Sequence, residues 1–201
     1  LEHELESPIE EALAVGYGDP EAYGYHTLET LQCMIERRSG GETGVVSVQY
    51  LEGEAVWQAG RDGRWSLELA EAACAAIENK PEGSMKEHVS NPFVFLIEHV
   101  DGLRSAALML NDYISDWAYA GRLDGDIQAC EFYLQPGGPG ANFGYLSRNI
   151  QRFFTTGEAT YPPERTLLTS GVIDAVMRSR HEGNRLVETP YLDIAYSSYT
   201  Q

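Results

Sequence analysis

The fold is decided by residues 91 to 111, NPFVFLIEHVDGLRSAALMLN, which carry the strongest hairpin signal in the chain. Residues 93–100 and 103–110 are apolar runs, and the first is rich in aromatic and β-branched side chains, as buried strands are. Asp101-Gly102 between them tolerates the positive φ angles of a two-residue type I′ turn. Both arms are too apolar for a solvated edge, so we predict the middle of a sheet covered on at least one face.

The rest of the chain predicts helices where apolar residues recur at helical spacing and strands where short apolar runs end in turn residues. The predicted helices are residues 27–38, 66–77, 143–156 and 162–181, and the predicted strands beside the hairpin are residues 45–51, 113–119 and 129–134. Residues 9–15 are predicted as one or two helical turns and residues 52–63 as a polar connection. In the helix 143–156 we expect the apolar side chains to lie inside.

This order predicts one α+β domain over residues 1–201, with residues 1–22 as an acidic lead-in. Strands joined by short turns pair antiparallel, so we expect an open, mostly antiparallel sheet with helices packed on one face. The other face keeps apolar positions instead of alternating with charge. Either this face packs on residues that the pattern does not place, or it is a partner surface. Since an uncovered apolar face is an association site, we favour the second alternative and expect a homo-oligomer, a dimer, through it.

The composition excludes several classes of partner. Hydrophobic residues are 43% and charged residues 22% of the chain, and its net charge of −17 repels nucleic acids and anionic membranes. No apolar run reaches the ~18 residues of a membrane span, and the acidic start lacks a signal-peptide pattern. Cys33, Cys74 and Cys130 are far apart, which disfavours disulfides and a zinc site, so we predict reduced core thiols in a cytoplasmic protein.

His26 is the strongest candidate for acid or base chemistry. It follows a glycine-bearing turn at the start of an apolar helix, with Asp19, Glu21 and Glu29 near it in sequence. A carboxylate there would orient the imidazole for proton transfer. The alternative is an ordinary histidine in a first helical turn.

Two other features have a functional and a structural interpretation. Arg165, beside Tyr161 and Glu164, is suited to an acidic or polyhydroxylated ligand or to a structural ion pair. Residues 135–144, QPGGPGANFG, lie between a strand and a helix, which suits an anion or a plain connection. They lack the glycine spacing of a dinucleotide fingerprint, and the chain shows no P-loop, zinc spacing or nucleophile elbow.

A family resemblance emerges from three segments of the sequence. Residues 161–196 (YPPERTLLTSGVIDAVMRSRHEGNRLVETPYLDIAY) resemble the end of the glucose–fructose oxidoreductase / inositol dehydrogenase (Gfo/Idh/MocA) family. Residues 142–162 resemble the family's preceding helix, and residues 23–49 resemble its histidine-bearing helix and the next strand. The family joins an NAD(P)-binding Rossmann domain to an α+β domain that shapes the substrate site and often mediates oligomerisation. This chain resembles the second domain alone.

The resemblance assigns roles to particular residues. The family histidine, two residues after a glycine, matches His26 and Gly24, and it assists proton transfer from the substrate hydroxyl. Ala22 stands where the family often has an aspartate, and Glu29 stands where a later aspartate is common. The missing aspartate puts the proton relay in question.

Tyr25, Tyr161 and Arg165 are the expected substrate contacts. The sequence Glu-Asn-Lys-Pro at 78–81 is similar to the family's catalytic-lysine motif, but it follows a helix of the wrong domain and we do not carry the lysine over.

The sequence thus predicts the substrate-binding and oligomerisation domain of an NAD(P)-dependent oxidoreductase that acts on a sugar, a polyol or a related hydroxyl compound. NAD or NADP is expected in the intact protein, and none is expected on this chain alone. Because the chain begins without Met, we expect it to be part of a longer protein. The alternatives are a stand-alone, non-catalytic binding or dimerisation module and, with less support, an unrelated hydrolase that uses His26.

Overall fold

A computed structural model describes residues 1–134 and 140–199 and contains a seven-stranded sheet in the order β6-β5-β1-β4-β3-β2-β7. The strands are β1 (Ile9–Gly16), β2 (Val45–Glu52), β3 (Phe93–His99), β4 (Arg104–Met109), β5 (Trp117–Leu123), β6 (Asp126–Phe132) and β7 (Val187–Glu188). The helices are α1 (Ala22–Ile35), α2 (Glu54–Arg61), α3 (Leu67–Ala76), α4 (Met85–His88), α5 (Ala141–Thr156) and α6 (Pro163–His181), followed by a 3₁₀ turn (Pro190–Leu192). Of the predicted glycine-rich connection, residues 135–139 lie outside the described part.

The central hairpin is confirmed, but its turn is not of the predicted type. β3 and β4 pair antiparallel, with Phe93 opposite Met109. Gly102 has a φ of 87°, whereas Asp101 is not among the residues with positive φ, so the pair does not form a type I′ turn. The amide of Gly102 donates instead to the carbonyl of His99 (3.0 Å), and the strands are joined by a longer loop.

Residues 9–15, predicted as helical, form the central strand β1. β1 pairs in parallel with β4 and antiparallel with β5, so it separates the predicted third strand from the hairpin. Its run Ala12–Val15 is buried on both sides of the sheet. A short, continuous apolar run fits a buried strand as well as a helix, and pairing with distant strands decides between them. The remaining strand contacts are antiparallel, as predicted.

Helices cover both faces of this sheet, which corrects the prediction of helices on one face. On one face, α1 and α6 pack over β1 and β2 with buried Ala12 and Ala14. On the other face, α3 packs over β1, β5 and β6, and the cluster around Leu13 and Val15 also includes side chains of α2 and α4. The predicted polar connection 52–63 contains α2. Because helices cover both faces, the sheet in the described residues has no uncovered face through which the predicted oligomer could form.

The apolar residues of α5, predicted to lie inside, are exposed. No residue of α5 is buried. The exposed fraction of its large apolar side chains ranges from 45% at Ile150 to 81% at Phe154. α6 behaves as predicted at Leu168, Val172 and Val176, which are buried against the sheet.

Among the described residues, no helix is long and apolar enough to cross a membrane.

Buried charges hold the chain around the C-terminal end of α1. Glu42 is buried and accepts hydrogen bonds from Gln32 (2.6 Å) and from Arg38 (2.9 and 3.0 Å). The Nδ1 atom of His99 on β3 lies 3.2 Å from the same carboxylate. Burial alone would raise the pKa of Glu42, but His99 and Arg38 outweigh it and hold the pKa below its ordinary value.

We predict that Glu42→Gln lowers the free energy of unfolding at pH 7 by about 3–5 kcal/mol, because it removes the fully buried charge partner of Arg38 and leaves only Asp101, which is partly exposed. The depressed pKa of Glu42 contributes stability above its unfolded value of about 4.3, and this stability is lost as the pH falls further. The gap between wild type and variant should therefore narrow from about pH 5 to pH 3 in urea unfolding. Glu54→Gln, which removes an exposed partner of Arg61, is the control and should change little at either pH. An equal loss in both variants would contradict the role of Glu42.

Candidate functional site

The start of α1 presents His26 at the edge of the sheet where β1 and β4 both end. The carboxylate of Asp19 accepts the amide N–H groups of Glu21 (3.0 Å) and Ala22 (2.8 Å), which caps the helix. At Gly24 an added Cβ would lie 2.8 Å from the ring of Phe95, so this face of α1 lies directly on the sheet. His26, two residues later, lies on another face and is exposed. The Gly-x-His spacing therefore places the glycine where α1 packs closely on the sheet and the histidine where it is exposed.

Aromatic rings surround His26. Its ring centroid lies 5.7 Å from Trp117 and 6.1 Å from Tyr23, with interplanar angles of 73° and 89°. Tyr23 stacks on Trp117 at 5.9 Å, and Tyr17 lies 4.8 Å from the same indole. The indole Nε1 of Trp117 is buried and has no hydrogen-bond partner within the described residues. An unpaired buried donor costs about 1–3 kcal/mol, so it calls for an explanation.

Two of the three carboxylates that lie near His26 in sequence have other partners. Asp19 accepts the amides at the start of α1, as described above. Glu29 accepts a hydrogen bond from the hydroxyl of Thr169 on α6 at 2.6 Å. Aromatic rings, and not these two carboxylates, lie around the imidazole of His26.

Tyr25 and Tyr161, two predicted substrate contacts, lie where α1 meets the start of α6. The ring of Tyr25 is 6.4 Å from that of His26, and burial raises the pKa of Tyr25 against the opposing effect of Thr169. Tyr161 is 39% exposed, and its ring covers the guanidinium of Arg165 at 4.5 Å. The structure therefore brings Tyr25 close to His26 and leaves Tyr161 accessible.

Arg165, the third predicted substrate contact, is a structural residue. Its side chain is 8% exposed and makes two hydrogen bonds to Glu36, of which Nε to Oε2 measures 2.7 Å. Glu36 is fully buried and also accepts from the hydroxyl groups of Tyr196 (2.9 Å) and Ser198 (2.7 Å). This is the ion pair that the sequence left open as an alternative, with Glu36 as the partner. Because its charge is already paired and buried, Arg165 is not available to a ligand.

A cleft of about 550 Å³ opens beside the loop that leads into α1. The loop contributes Gly18, Asp19 and Pro20, and Asn111 after β4 faces them. The Asn111 side chain accepts from the Gly18 amide (2.6 Å) and donates to the Gly18 carbonyl (3.1 Å), which fixes the loop. The remaining lining residues come from the ends of β2 and β3 and from α6: Tyr50, Glu52, Gly53, Asn91, Pro92, Phe93 and Arg180.

The glycine-bearing turn between β1 and α1 does not fit a dinucleotide. A pyrophosphate would need free amide groups at the helix N-terminus, but the carboxylate of Asp19 already accepts two of them and would repel an anion. At Gly18, moreover, an added Cβ would lie 2.3 Å from the Tyr23 ring, so that side of the turn is filled. We therefore derive no step through NAD(P) from this turn.

Metal and thiol chemistry receive no support from the described residues. Within residues 1–134 and 140–199, no group of three or more His, Cys, Asp or Glu side chains could hold a metal ion. The three cysteines are free, and burial raises the pKa values of Cys33 and Cys74 to about 12, which keeps both thiols protonated.

Sequence reasoning singled out His26 and Tyr25 as candidates but not the residues that the fold places around them. Trp117 begins β5 and Asn111 follows β4, and they lie 91 and 85 residues after His26 along the chain. Tyr17 and Tyr23 lie close to His26 in sequence, but nothing in their pattern indicated a ring cluster. The pairing of β1 with β4 and with β5 brings these segments together.

Comparisons with known proteins find a distant structural similarity. No protein-family model matches the chain, and no curated protein sequence matches it. Among solved structures, it is similar to the aldose-aldose oxidoreductase from Caulobacter crescentus complexed with glycerol, at 14% identity and a TM-score of 0.38. The match covers 90% of this chain and 56% of that chain, so this chain spans just over half the length of the oxidoreductase. That enzyme belongs to the family that the sequence resembles. A match this distant carries no argument about the activity of this chain.

We predict that the fluorescence of Trp117 depends on the imidazole ring of His26, because the two ring centroids lie 5.7 Å apart. At constant pH, His26→Gln should change the intensity of the Trp emission. His88→Gln is the control, since His88 stacks on Tyr113 and should leave the emission as in the wild type. An unchanged emission in the His26 variant would contradict the ring contact.

Proposed function

We propose that this chain is the substrate domain of an NAD(P)-dependent, cytoplasmic oxidoreductase that acts on a sugar, a polyol or a related hydroxyl compound. The observation that carries the proposal is the exposed imidazole of His26, held in a ring cluster near the start of α1, with a polar cleft at the loop that leads into the same helix. The cofactor would be held by a part of the protein other than the turn before α1. The free thiols support a reducing compartment.

In this proposal His26 takes the proton of the substrate hydroxyl during oxidation and returns it during reduction. The imidazolium that forms lies against the rings of Trp117 and Tyr23, which attract a cation at these distances. The indole N–H of Trp117 lies beside Gly16, buried and without a partner among the described residues. Tyr25 and Tyr161 remain proposed substrate contacts.

The lining of the cleft supports a neutral, polyhydroxylated substrate. The carboxylates of Asp19 and Glu52 accept hydrogen bonds from hydroxyl groups, and Arg180 donates to hydroxyl oxygens. Aromatic side chains at Tyr50 and Phe93 form an apolar part of the same lining. A few polar groups against an apolar wall are the usual composition of a small-molecule site.

We predict that His26→Gln in the full-length protein lowers kcat by about 10²–10⁴-fold, because the general acid–base step is lost. Substrate affinity should change little, since the cleft is lined by other residues. Initial rates with NAD and NADP over a panel of sugars and polyols, with dissociation constants from calorimetry, measure both quantities. His88→Gln is the matched control and should keep the wild-type rate. Full turnover by the His26 variant would rule out its acid–base role.

A second candidate function, a non-catalytic association module, is favoured by α5. This helix exposes a row of large apolar side chains, and its charged residues are Arg148 and Arg152 alone. A helix that is apolar and basic complements an acidic surface, and a chain with a net charge of −17 offers such a surface on a second copy of itself. We infer that α5 of each copy packs against the body of the other, in place of the sheet face predicted from sequence.

We predict that Leu146→Asp/Ile150→Asp on α5 converts a dimer into a monomer, since two carboxylates would enter an apolar interface. Analytical ultracentrifugation at micromolar concentration measures the mass. The control is Val100→Asp/Leu186→Asp, which adds the same charge at two side chains that are each 50% exposed elsewhere. A monomeric wild-type chain, or dissociation of both variants alike, would contradict the proposal.

A further inference from the structure

A second cavity lies on the face of the sheet opposite to α1 and His26. It has a volume of about 700 Å³, within the range of sites for small molecules. Its walls come from α2, α3, α4 and the loop before α4. Several of the apolar lining residues belong to the buried cluster under α3. The proposed oxidoreductase chemistry makes no use of it.

The walls of the cavity are mostly apolar and aromatic. The rings of Trp57 and Trp65 lie 6.3 Å apart, and Leu67 at the rim is 50% exposed. The polar atoms of two of the aromatic side chains already have partners. The indole of Trp65 donates to the carbonyl of Val56 (2.9 Å), and the hydroxyl of Tyr113 donates to the carbonyl of Gly83 (3.0 Å). The aromatic walls therefore offer a ligand mainly apolar contact.

The charge of the lining is opposite to that of the chain as a whole. Arg61, Lys80 and Lys86 line the cavity together with one carboxylate, Glu71. The sequence contains two lysines, and both of them are in this lining. Arg61 is paired with Glu54, whereas neither lysine has a hydrogen bond or an ion pair to any other described residue. In a chain with a net charge of −17, these two lysines, one partly buried and one exposed, form a cationic rim at one apolar cavity, which favours an anionic partner.

We propose that this cavity binds a small amphipathic carboxylate, whose apolar body packs against Trp57, Trp65 and Leu67 and whose anionic end lies at Lys80 and Lys86. A simple inorganic anion would leave the apolar walls in contact with water, and a neutral apolar molecule would leave both ammonium groups without a partner. A molecule with both parts satisfies the whole lining. The site is separate from His26, because the sheet lies between the two helix layers.

Calorimetric titration of the chain with decanoate, decanol and decylammonium tests this proposal, and Trp emission follows the occupancy of the cavity. We expect saturable binding of decanoate, weaker binding of decanol and the weakest binding of decylammonium. Lys80→Gln/Lys86→Gln should weaken decanoate binding by at least about tenfold and leave decanol unchanged, since it removes two charge contacts and keeps the walls. Arg178→Gln/Arg185→Gln, at two exposed arginines in and after α6, changes the net charge equally and should bind decanoate as the wild type does.

A second variant and measurements of folding distinguish loss of ligand binding from a folding defect. Ala75→Phe places a ring in the cavity from an exposed position of α3, and it should abolish binding of decanoate and of decanol. Circular dichroism and thermal unfolding establish that each variant is folded. Three results would overturn the proposal: no decanoate binding, equal binding of the three ligands, or equal effects of the lysine and arginine variants. His26→Gln should leave decanoate binding unchanged, so failure here is distinct from failure of the proposed oxidoreductase function.

Discussion

The carboxylate of Glu42 is the constraint on which the rest of the structure depends. Besides the side chains of Arg38 and Gln32, the amides of Thr43 and Gly44 donate to it, each at 2.9 Å. A buried charge is tolerated only when its lone pairs are satisfied, so all of these donors must be in place together. Arg38 in turn holds Asp101 of the central hairpin at 2.7 Å. One buried group thus ties the end of α1 to the turn between β3 and β4.

The same region joins the C-terminal residues to the domain. Glu36 accepts hydrogen bonds from Tyr196 and Ser198 as well as from Arg165 of α6. α1 is therefore held at its end by two buried carboxylates and at its start by Asp19, while Gly24 sets its closeness to the sheet. A helix fixed at both ends holds its exposed residues in a defined orientation. The position of His26 beside Trp117 follows from this, which links the stability of the fold to the proposed chemistry.

The two faces of the sheet have different chemistry. One layer places a histidine among aromatic rings and has a polar cleft at the loop before α1, and the other holds an apolar cavity with the two lysines of the chain. The sheet between them is buried on both sides, with Leu13 and Ala14 of β1 facing opposite layers. Ligands at the two places would therefore have no shared contact. α5 belongs to neither layer and is the most apolar exposed helix of the described chain.

The sequence by itself determined the features that depend on neighbours along the chain. The hairpin of β3 and β4, the Ser66 cap of α3 and the period of α6 all follow from local spacing, because turn, cap and helix-face signals lie within a few residues. The tertiary structure decided the features that depend on distant partners. The run Ala12–Val15 became a strand because β4 and β5 supply its hydrogen bonds, and Arg165 became structural because Glu36 lies buried beneath it. Spacing along the chain carries no information about such partners, so the second helix layer and its cavity emerged only from the fold.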